Sequence, residues 1–244
     1  MTDYAIQERG SRAGRARGEA EVSSDGATQS EVAAQLIRDD ILSGALPPGE
    51  KLRFHVLRAR YATGVGPLRE ALVRLQEEQL VEWEGRRGFW VAPVSADEIR
   101  DLTRMRVLLE GEALKRSIEQ GGDAWEAELV STYHRLARCT GRGAHLSADT
   151  MQEWEAAHEG FHRALIAGDA SRLLSRLRSR LTMLVMRYRR LALIAAGDRD
   201  HLGEHKSIME AALAHDAEAA IRLLTEHYDH TTQAILAAME PKDV

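Results

Sequence analysis

The sequence has little cysteine and no long apolar segment, and each shortage excludes a class of protein. Cys139 is the only cysteine among 244 residues, so the chain cannot form an internal disulfide or a zinc site built from several thiolates. This agrees with a reducing compartment. No run approaches 18 apolar residues, and the first thirty residues lack the apolar core of a signal peptide. We therefore expect a cytoplasmic protein with no membrane partner.

An excess of positive charge is also missing from the chain as a whole. The formal net charge is −5, with 44% hydrophobic and 29% charged residues, a composition typical of ordinary globular proteins rather than fibrous or disordered ones. The negative sum argues against general polyanion binding by the whole molecule. It does not exclude a local basic surface.

The first segment shows no periodicity. Residues 1–28 mix Gly, Ser, Arg and Glu without an apolar repeat, which predicts a disordered arm. Its arginines are candidates for phosphate contacts, although a solvated tail is the simpler interpretation. We expect ordered structure to begin near Ser30, a candidate N-cap for the helix that follows.

Residues 29–94 have the element order of a winged helix-turn-helix. Three amphipathic helices are predicted, the third of them beginning at Pro67. Two short β-rich runs around the sequence GRRG then predict a hairpin. Three helices followed by a hairpin indicate a DNA-binding module.

The positive charge of this module is concentrated. Residues 51–69 contain five basic side chains and no acidic one, which puts Arg53 and Arg69 where a helix-turn-helix meets DNA. Arg86 and Arg87 add charge at the hairpin tip, as candidates for phosphate or minor-groove contacts. A solvated face is the alternative interpretation of such a charge run.

From Ser95 onward, helix follows helix. Ser95 and Glu98 have the spacing of a capping box, and no second β-rich region follows. We therefore predict a mainly α protein: an N-terminal winged helix-turn-helix and, over residues 95–244, an all-helical bundle of about six helices. The predicted helices are about 96–120, 124–139, 148–167, 171–195, 201–214 and 217–239.

Four histidines lie on predicted inward faces of this bundle. His158 and His162 are four residues apart on one helix, and His205 and His227 lie on two later helices. A single histidine on an apolar face is usually a packed residue with one hydrogen bond. Two imidazoles at i and i+4 can converge on one ion about 2 Å from each, and four from three faces favour a site for Zn²⁺, Ni²⁺ or Cu²⁺.

Two arginines are predicted to face inward as well. Arg106 falls on the apolar stripe of the first bundle helix, where a buried guanidinium needs an anion. Either Glu110, one turn later, or a bound ligand would supply that anion. Arg187 is a second inward or half-inward cation. Two such cations near a metal suit a small carboxylate that ligates the metal at one end and pairs with arginine at the other.

Several motifs in order resemble one known family. They are ILSGALPPGEKL, PLREALVRLQEEQLVE, RRGFWVAPVS, RMRVLLEGEA, FHRALIAGDA, EHKSIMEAALAHDAEAA and a final EHY. The chain from residue 30 onward resembles the GntR family of bacterial transcription regulators, in its FadR-type branch. The resemblance implies a regulator rather than an enzyme, with a helical domain that binds small carboxylate effectors.

The resemblance also implies a metal-ligand set. Many FadR-type regulators hold a metal with an Asp and a His one turn apart on one helix and single histidines on two later helices. These positions match His158, His162, His205 and His227, with His in place of the usual Asp at 158. Imidazole keeps a ligand and removes a negative charge. Some members of the branch hold no metal, and the histidines would then hydrogen-bond the effector directly.

The recognition helix departs from the family pattern. Its usual Ser-Arg-Thr-Pro start is replaced by Gly64, Val65, Gly66 and Pro67, so an apolar contact from Val65 to a thymine methyl is expected instead of an arginine contact. Arg69 matches the arginine of the family's Val-Arg-Glu motif and is a candidate for bidentate contact with guanine. We expect a homodimer on a roughly palindromic double-stranded operator.

The predicted function is therefore a DNA-binding regulator, acting as a repressor, whose operator affinity responds to a small carboxylate. Two alternatives remain at this point. A metal-ion sensor would respond to the ion itself. A helical enzyme would use the metal to activate water, but no carboxylate is placed as an evident base on the histidine faces.

Overall fold

The computed structural model describes residues 26–140, 148–169, 171–195 and 199–240. Most of the predicted arm, residues 1–25, lies outside these ranges. Within them the chain forms nine helices and three short strands, so the prediction of a mainly α fold with a small N-terminal sheet is confirmed. None of the helices in these ranges is long and apolar enough to cross a membrane.

The N-terminal part is a winged helix-turn-helix. A short 3₁₀ turn joins the last two strands, and the antiparallel sheet has the order β1-β3-β2. Strand β1 was not predicted, because two residues are too few to show alternation. The elements are α1 (Gln29–Leu42), β1 (Lys51–Leu52), α2 (Phe54–Tyr61), α3 (Val65–Glu77), β2 (Val81–Trp83) and β3 (Phe89–Val91).

Helix α1 begins two residues earlier than expected. Its N-cap is Thr28, not Ser30. The Thr28 hydroxyl accepts a bond from the Glu31 N–H at 3.2 Å, and the Glu31 carboxylate accepts one from the Thr28 N–H at 3.0 Å. This reciprocal pair satisfies two backbone donors at once, which a cap at Ser30 would not do.

The C-terminal part consists of six helices in the described ranges. Their limits lie within about three residues of the predicted ones, because apolar periodicity and polar caps mark them clearly. Asp200 and Asp216 cap the last two helices through their side chains. The helices are α4 (Ala96–Gln120), α5 (Asp123–Thr140), α6 (Ala148–Leu165), α7 (Arg172–Ala195), α8 (His201–Leu213) and α9 (Ala217–Met239).

One of the two apolar clusters in the described residues spans both parts. Leu68, Leu72 and Leu75 of α3 are fully buried in the same cluster as Val185 and Tyr188 of α7. The winged domain therefore packs directly against the bundle and is not held by a flexible linker alone.

The start of α4 differs from the predicted capping box. Ser95 does accept a bond from the Glu98 N–H at 3.0 Å. The second bond of a capping box would run from the Ser95 N–H to the Glu98 side chain. Here the Ser95 N–H donates instead to the Tyr188 hydroxyl at 3.1 Å, and that hydroxyl donates to the Glu98 carboxylate. The cap thus also attaches α4 to α7.

The turn after α6 packs tightly on α4, which gives a test of the packing. A Cβ at Gly168 would lie 2.7 Å from Ser117 Cα and 2.8 Å from its carbonyl oxygen. We expect Gly168→Ala to lower the free energy of unfolding by about 1–3 kcal/mol, since backbone must move. The matched control is Gly160→Ala on α6, where nothing lies within 4 Å and alanine should stabilise the helix by about 0.5–1 kcal/mol. Urea denaturation measures both, and equal stabilities would contradict the packing.

Candidate functional site

Three helices bring the four predicted histidines together. His158 and His162 lie on α6, His205 on α8 and His227 on α9, and all four are buried. One nitrogen from each can be chosen so that all lie within 4.8 Å of one another. The ring of His158 also stacks on Trp154, with the ring centres 4.9 Å apart. We call these four residues the histidine cluster.

The protonation of His205 is fixed by a backbone contact. Its Nδ1 lies 2.5 Å from the carbonyl oxygen of His201. Because a carbonyl only accepts, Nδ1 carries the ring proton and Nε2 carries a lone pair. That lone pair faces Nε2 of His162 at 3.3 Å.

A side chain, that of Tyr228, fixes the ring proton of His162 on Nδ1 in the same way. The Tyr228 hydroxyl donates to Glu110 Oε2 at 2.7 Å, so its oxygen is left to accept from Nδ1–H of His162 at 3.2 Å. His162 Nε2 therefore also carries a lone pair. Two lone pairs cannot bond to each other, but a cation between them would bind both. A spacing of 3.3 Å equals the edge of a tetrahedron with nitrogens about 2 Å from its centre.

His227 is oriented by a carboxylate. Its Nδ1 lies 2.7 Å from Glu204 Oε2, which places the proton on Nδ1 and leaves Nε2 as the donor atom. Arg199 holds Glu204 through two nitrogens, at 2.7 and 2.5 Å. Carboxylates and carbonyls that fix the far nitrogen in this way are common around metal-bound histidines.

Burial keeps these imidazoles neutral. It lowers the pKa of His162 and His205 well below the usual value, and the neighbouring histidines add to the effect. Burial likewise lowers the pKa of His227 to about 4, although Glu204 opposes the shift. At neutral pH the three rings are therefore in the unprotonated form that binds metal.

A buried charged layer lies against the histidine cluster. Arg106 is buried as predicted, and its Nε donates to Glu110 Oε1 at 2.8 Å. Its guanidinium also lies 4.0 Å from the centre of the Tyr228 ring. Among the described residues Nη2 of Arg106 has no hydrogen-bond partner. Arg106 thus pairs with Glu110, as one of the two alternatives from the sequence predicts, and also keeps a guanidinium nitrogen that could donate to a ligand.

Arg178 on α7 belongs to this layer and was not predicted. Its guanidinium donates to both carboxylate oxygens of Glu159, and its Nε lies 3.5 Å from Glu110 Oε2. The sequence feature that indicates an inward-facing Arg178 is its spacing of four and seven residues from Thr182 and Val185, which are also buried. The exposed Arg176 and Arg180 on either side obscured that signal.

Arg187 does not have the role predicted for it. Instead of offering its guanidinium to an effector, it donates to the carbonyl oxygens of Ala92 at 2.7 Å, Gln79 at 3.3 Å and Pro93. These acceptors belong to the winged domain and its connection to α4. Arg187 therefore joins the two domains, and α7 supplies Arg178 to the charged layer.

The predicted DNA-binding residues are all exposed side chains of the winged domain. Arg53 is the N-cap of α2, and Val65 is the first residue of α3 and 42% exposed. The Arg69 guanidinium lies 5.5 Å from the centre of the Phe54 ring. The 3₁₀ turn carries the last two predicted residues, Arg86 and Arg87, both exposed.

The sequence places this chain among known regulators. Residues 29–91 match the bacterial regulatory proteins of the gntR family, and residues 101–230 match the FCD domain. The chain is a member of the GntR family. Its C-terminal domain is of the FadR type, so the resemblance seen in the motifs is confirmed.

Relatives of this GntR regulator are similar over most of their length. An HTH-type transcriptional regulator of Paraburkholderia xenovorans, BphR, is 38% identical over 84% of each chain. The HTH-type transcriptional repressor GlaR of Escherichia coli is 37% identical over 78% of this chain and 88% of its own. The solved structure of E. coli McbR/YncC covers 88% of this chain with a TM-score of 0.71 at 20% identity, which shows a shared fold.

The charged layer gives a second test. We expect Glu110→Gln to cost about 3–5 kcal/mol of stability, because two buried guanidiniums would lose their shared counter-charge. The matched control is Glu112→Gln on the same helix, whose pair with Arg116 is half exposed and should be worth less than about 1 kcal/mol. Chemical denaturation at neutral pH measures both. A small loss for Glu110→Gln would show that the layer is not held by this carboxylate.

Proposed function

We propose that this GntR regulator is a homodimeric repressor whose operator affinity is controlled by a small carboxylate bound beside a divalent transition metal. The observation that carries the proposal is the set of fixed ring protons in the histidine cluster. His162, His205 and His227 each have Nδ1 bound to an acceptor of the protein, which leaves three Nε2 atoms free to ligate.

The donor set fits a transition metal. Four neutral imidazoles suit Zn²⁺, Ni²⁺ or Cu²⁺ and are poor ligands for Mg²⁺ or Ca²⁺. A surface cavity of about 250 Å³ between α8 and α9 reaches His227 and is lined by Asp200 and Glu204. Its acidic lining would attract a cation toward the histidine cluster.

A metal held by four histidines would favour an anionic ligand. No ligand carboxylate offsets the two positive charges of the ion, since His occupies position 158, where the resemblance to FadR-type regulators implies Asp. Arg106 adds a buried donor that is not fully used. When bound, the metal would act as a Lewis acid for one carboxylate oxygen. Arg106 would hold a second anionic group beside the histidine cluster.

The winged domain supplies the operator contacts in this proposal. Arg69 and Val65 face outward at the start of α3 and would contact base edges in the major groove. Arg53, Arg86 and Arg87 would contact phosphates or the minor groove. Two copies would contact two half-sites, as helix-turn-helix dimers do.

One observation favours a metal sensor as the second candidate. Four histidine nitrogens complete a tetrahedral zinc site, and a closed site has no open position for a ligand. The ion itself would then be the signal. The named relatives are transcription regulators, and we propose no catalytic activity for the site.

Metal content tests the first part of the proposal. We expect about one zinc, nickel or copper ion per chain in the purified protein, measured by elemental mass spectrometry. His162→Ala and His205→Ala should lose most of it, because each removes a buried ligand that no other side chain replaces. His134→Ala, an exposed histidine of α5, is the control and should keep the metal. Full retention of metal by His162→Ala would refute the assignment.

Effector response tests the second part. Dicarboxylates of three to six carbons and their hydroxy analogues would be screened by thermal shift on the metal-loaded protein. A stabilising compound should lower the affinity for a duplex selected by the wild-type protein from a random pool, by about 5- to 150-fold. Arg106→Lys should weaken the response while keeping metal and DNA binding, because lysine lacks the bidentate fork. A compound that stabilises the protein without changing its affinity for DNA would contradict control by a carboxylate. A change in DNA affinity on adding metal alone would favour the metal sensor.

A further inference from the structure

Helix α7 contacts both the charged layer and the winged domain. Arg178 lies near its start, and Arg187 lies nine residues later, about 13 Å along the axis. Both side chains are almost fully buried. The same helix therefore carries two buried arginines that serve different parts of the protein.

At one end, a chain of polar contacts begins at a histidine of the cluster. His162 Nδ1 bonds to the Tyr228 hydroxyl at 3.2 Å, and Tyr228 donates to Glu110 at 2.7 Å. Glu110 in turn lies 3.5 Å from Arg178 Nε. Each contact is buried, where hydrogen bonds and ion pairs are costly to break.

At the other end, Arg187 holds the connection between the two domains. Two of its three carbonyl acceptors, Ala92 and Pro93, lie between strand β3 and helix α4. The adjacent Tyr188 binds Ser95, the cap of α4. A displacement of α7 cannot leave this segment in place unless several hydrogen bonds break.

We propose that Arg187 is the positioning residue that transmits the state of the histidine cluster to the winged domain, with α7 as the moving element. This inference rests on the proposed function for the identity of the signal. A metal that pulls on His162, or an anion that competes with Glu110 for its arginines, also displaces Arg178, because Tyr228 and Arg178 both bind the Glu110 carboxylate. The helix conveys the displacement to the carbonyls held by Arg187.

Hydrogen exchange of the full chain tests the proposal with Zn²⁺ alone as the probe. In the wild-type protein, Zn²⁺ should slow amide exchange in α6, α8 and α9, and also in residues 89–98, by about 5- to 150-fold. In Arg187→Met the slowing within the bundle should remain while that in residues 89–98 is lost. Arg176→Met, an exposed arginine of the same helix, is the control and should behave as wild type.

The ratio of exchange rates with and without Zn²⁺ separates coupling from simple stability. If Arg187 only stabilises the fold, Arg187→Met speeds exchange in residues 89–98 equally in both states and the ratio stays at its wild-type value. That result would overturn the proposal. Arg187→Lys provides a second variant if the first does not fold, since lysine keeps the charge and reaches one carbonyl. It should retain only part of the metal-dependent slowing.

A reverse experiment separates this inference from the proposed function. If metal analysis shows that Zn²⁺ does not bind, the metal part of the proposed function fails, and the selected DNA duplex becomes the probe. Because coupling is reciprocal, DNA binding should change exchange in α6 and α9 of the wild type and not in Arg187→Met. The role of Arg187 would be refuted if DNA left the exchange rates of the wild-type bundle unchanged, or if DNA changed them equally in the wild type and in Arg187→Met.

Discussion

The strongest constraint in the helical domain is the 3.3 Å distance between two ring nitrogens that each carry a lone pair, one from His162 and one from His205. Nε2 of His162 and Nε2 of His205 can share neither a proton nor a hydrogen bond while both Nδ1 atoms carry protons. Adding a proton between them is opposed by burial, which holds the pKa of both rings far below neutrality. A divalent ion resolves the repulsion without protonation, since it binds neutral imidazole.

The charge around the histidine cluster follows from the side chains that surround it. The side chains of the buried layer nearly balance, with Arg106 and Arg178 against Glu110 and Glu159. Four imidazoles add no negative charge, so an ion bound there would keep its full double charge. A buried excess of this size is unfavourable unless an anion joins it. In the proposed site, four neutral histidines would thus favour a carboxylate ligand more strongly than a set that includes an Asp ligand.

The sequence predicted the helices and the histidine cluster well, because each depends on local periodicity. His158, His162, His205 and His227 all stand on apolar stripes, and such a stripe shows which face is buried. The arginines of α7 could not be assigned in the same way. That helix packs against the bundle on one side and the winged domain on the other, so its buried positions do not form a single stripe. The sequence therefore predicts Arg187 beside the histidine cluster, where the structure has Arg178.

The shared core limits how a signal can reach the DNA. Tyr188 is fully buried between the domains, and Val185 packs into the same cluster as the recognition helix. Separation of the domains would expose this apolar surface, whereas a small shift of α7 would keep it buried. The carbonyls of Ala92 and Pro93 accept bonds from Arg187 and would follow such a shift. In the proposed homodimer, two recognition helices held at a fixed spacing would lose affinity for the operator when each moves slightly, so reorientation of the intact winged domain would be sufficient for release.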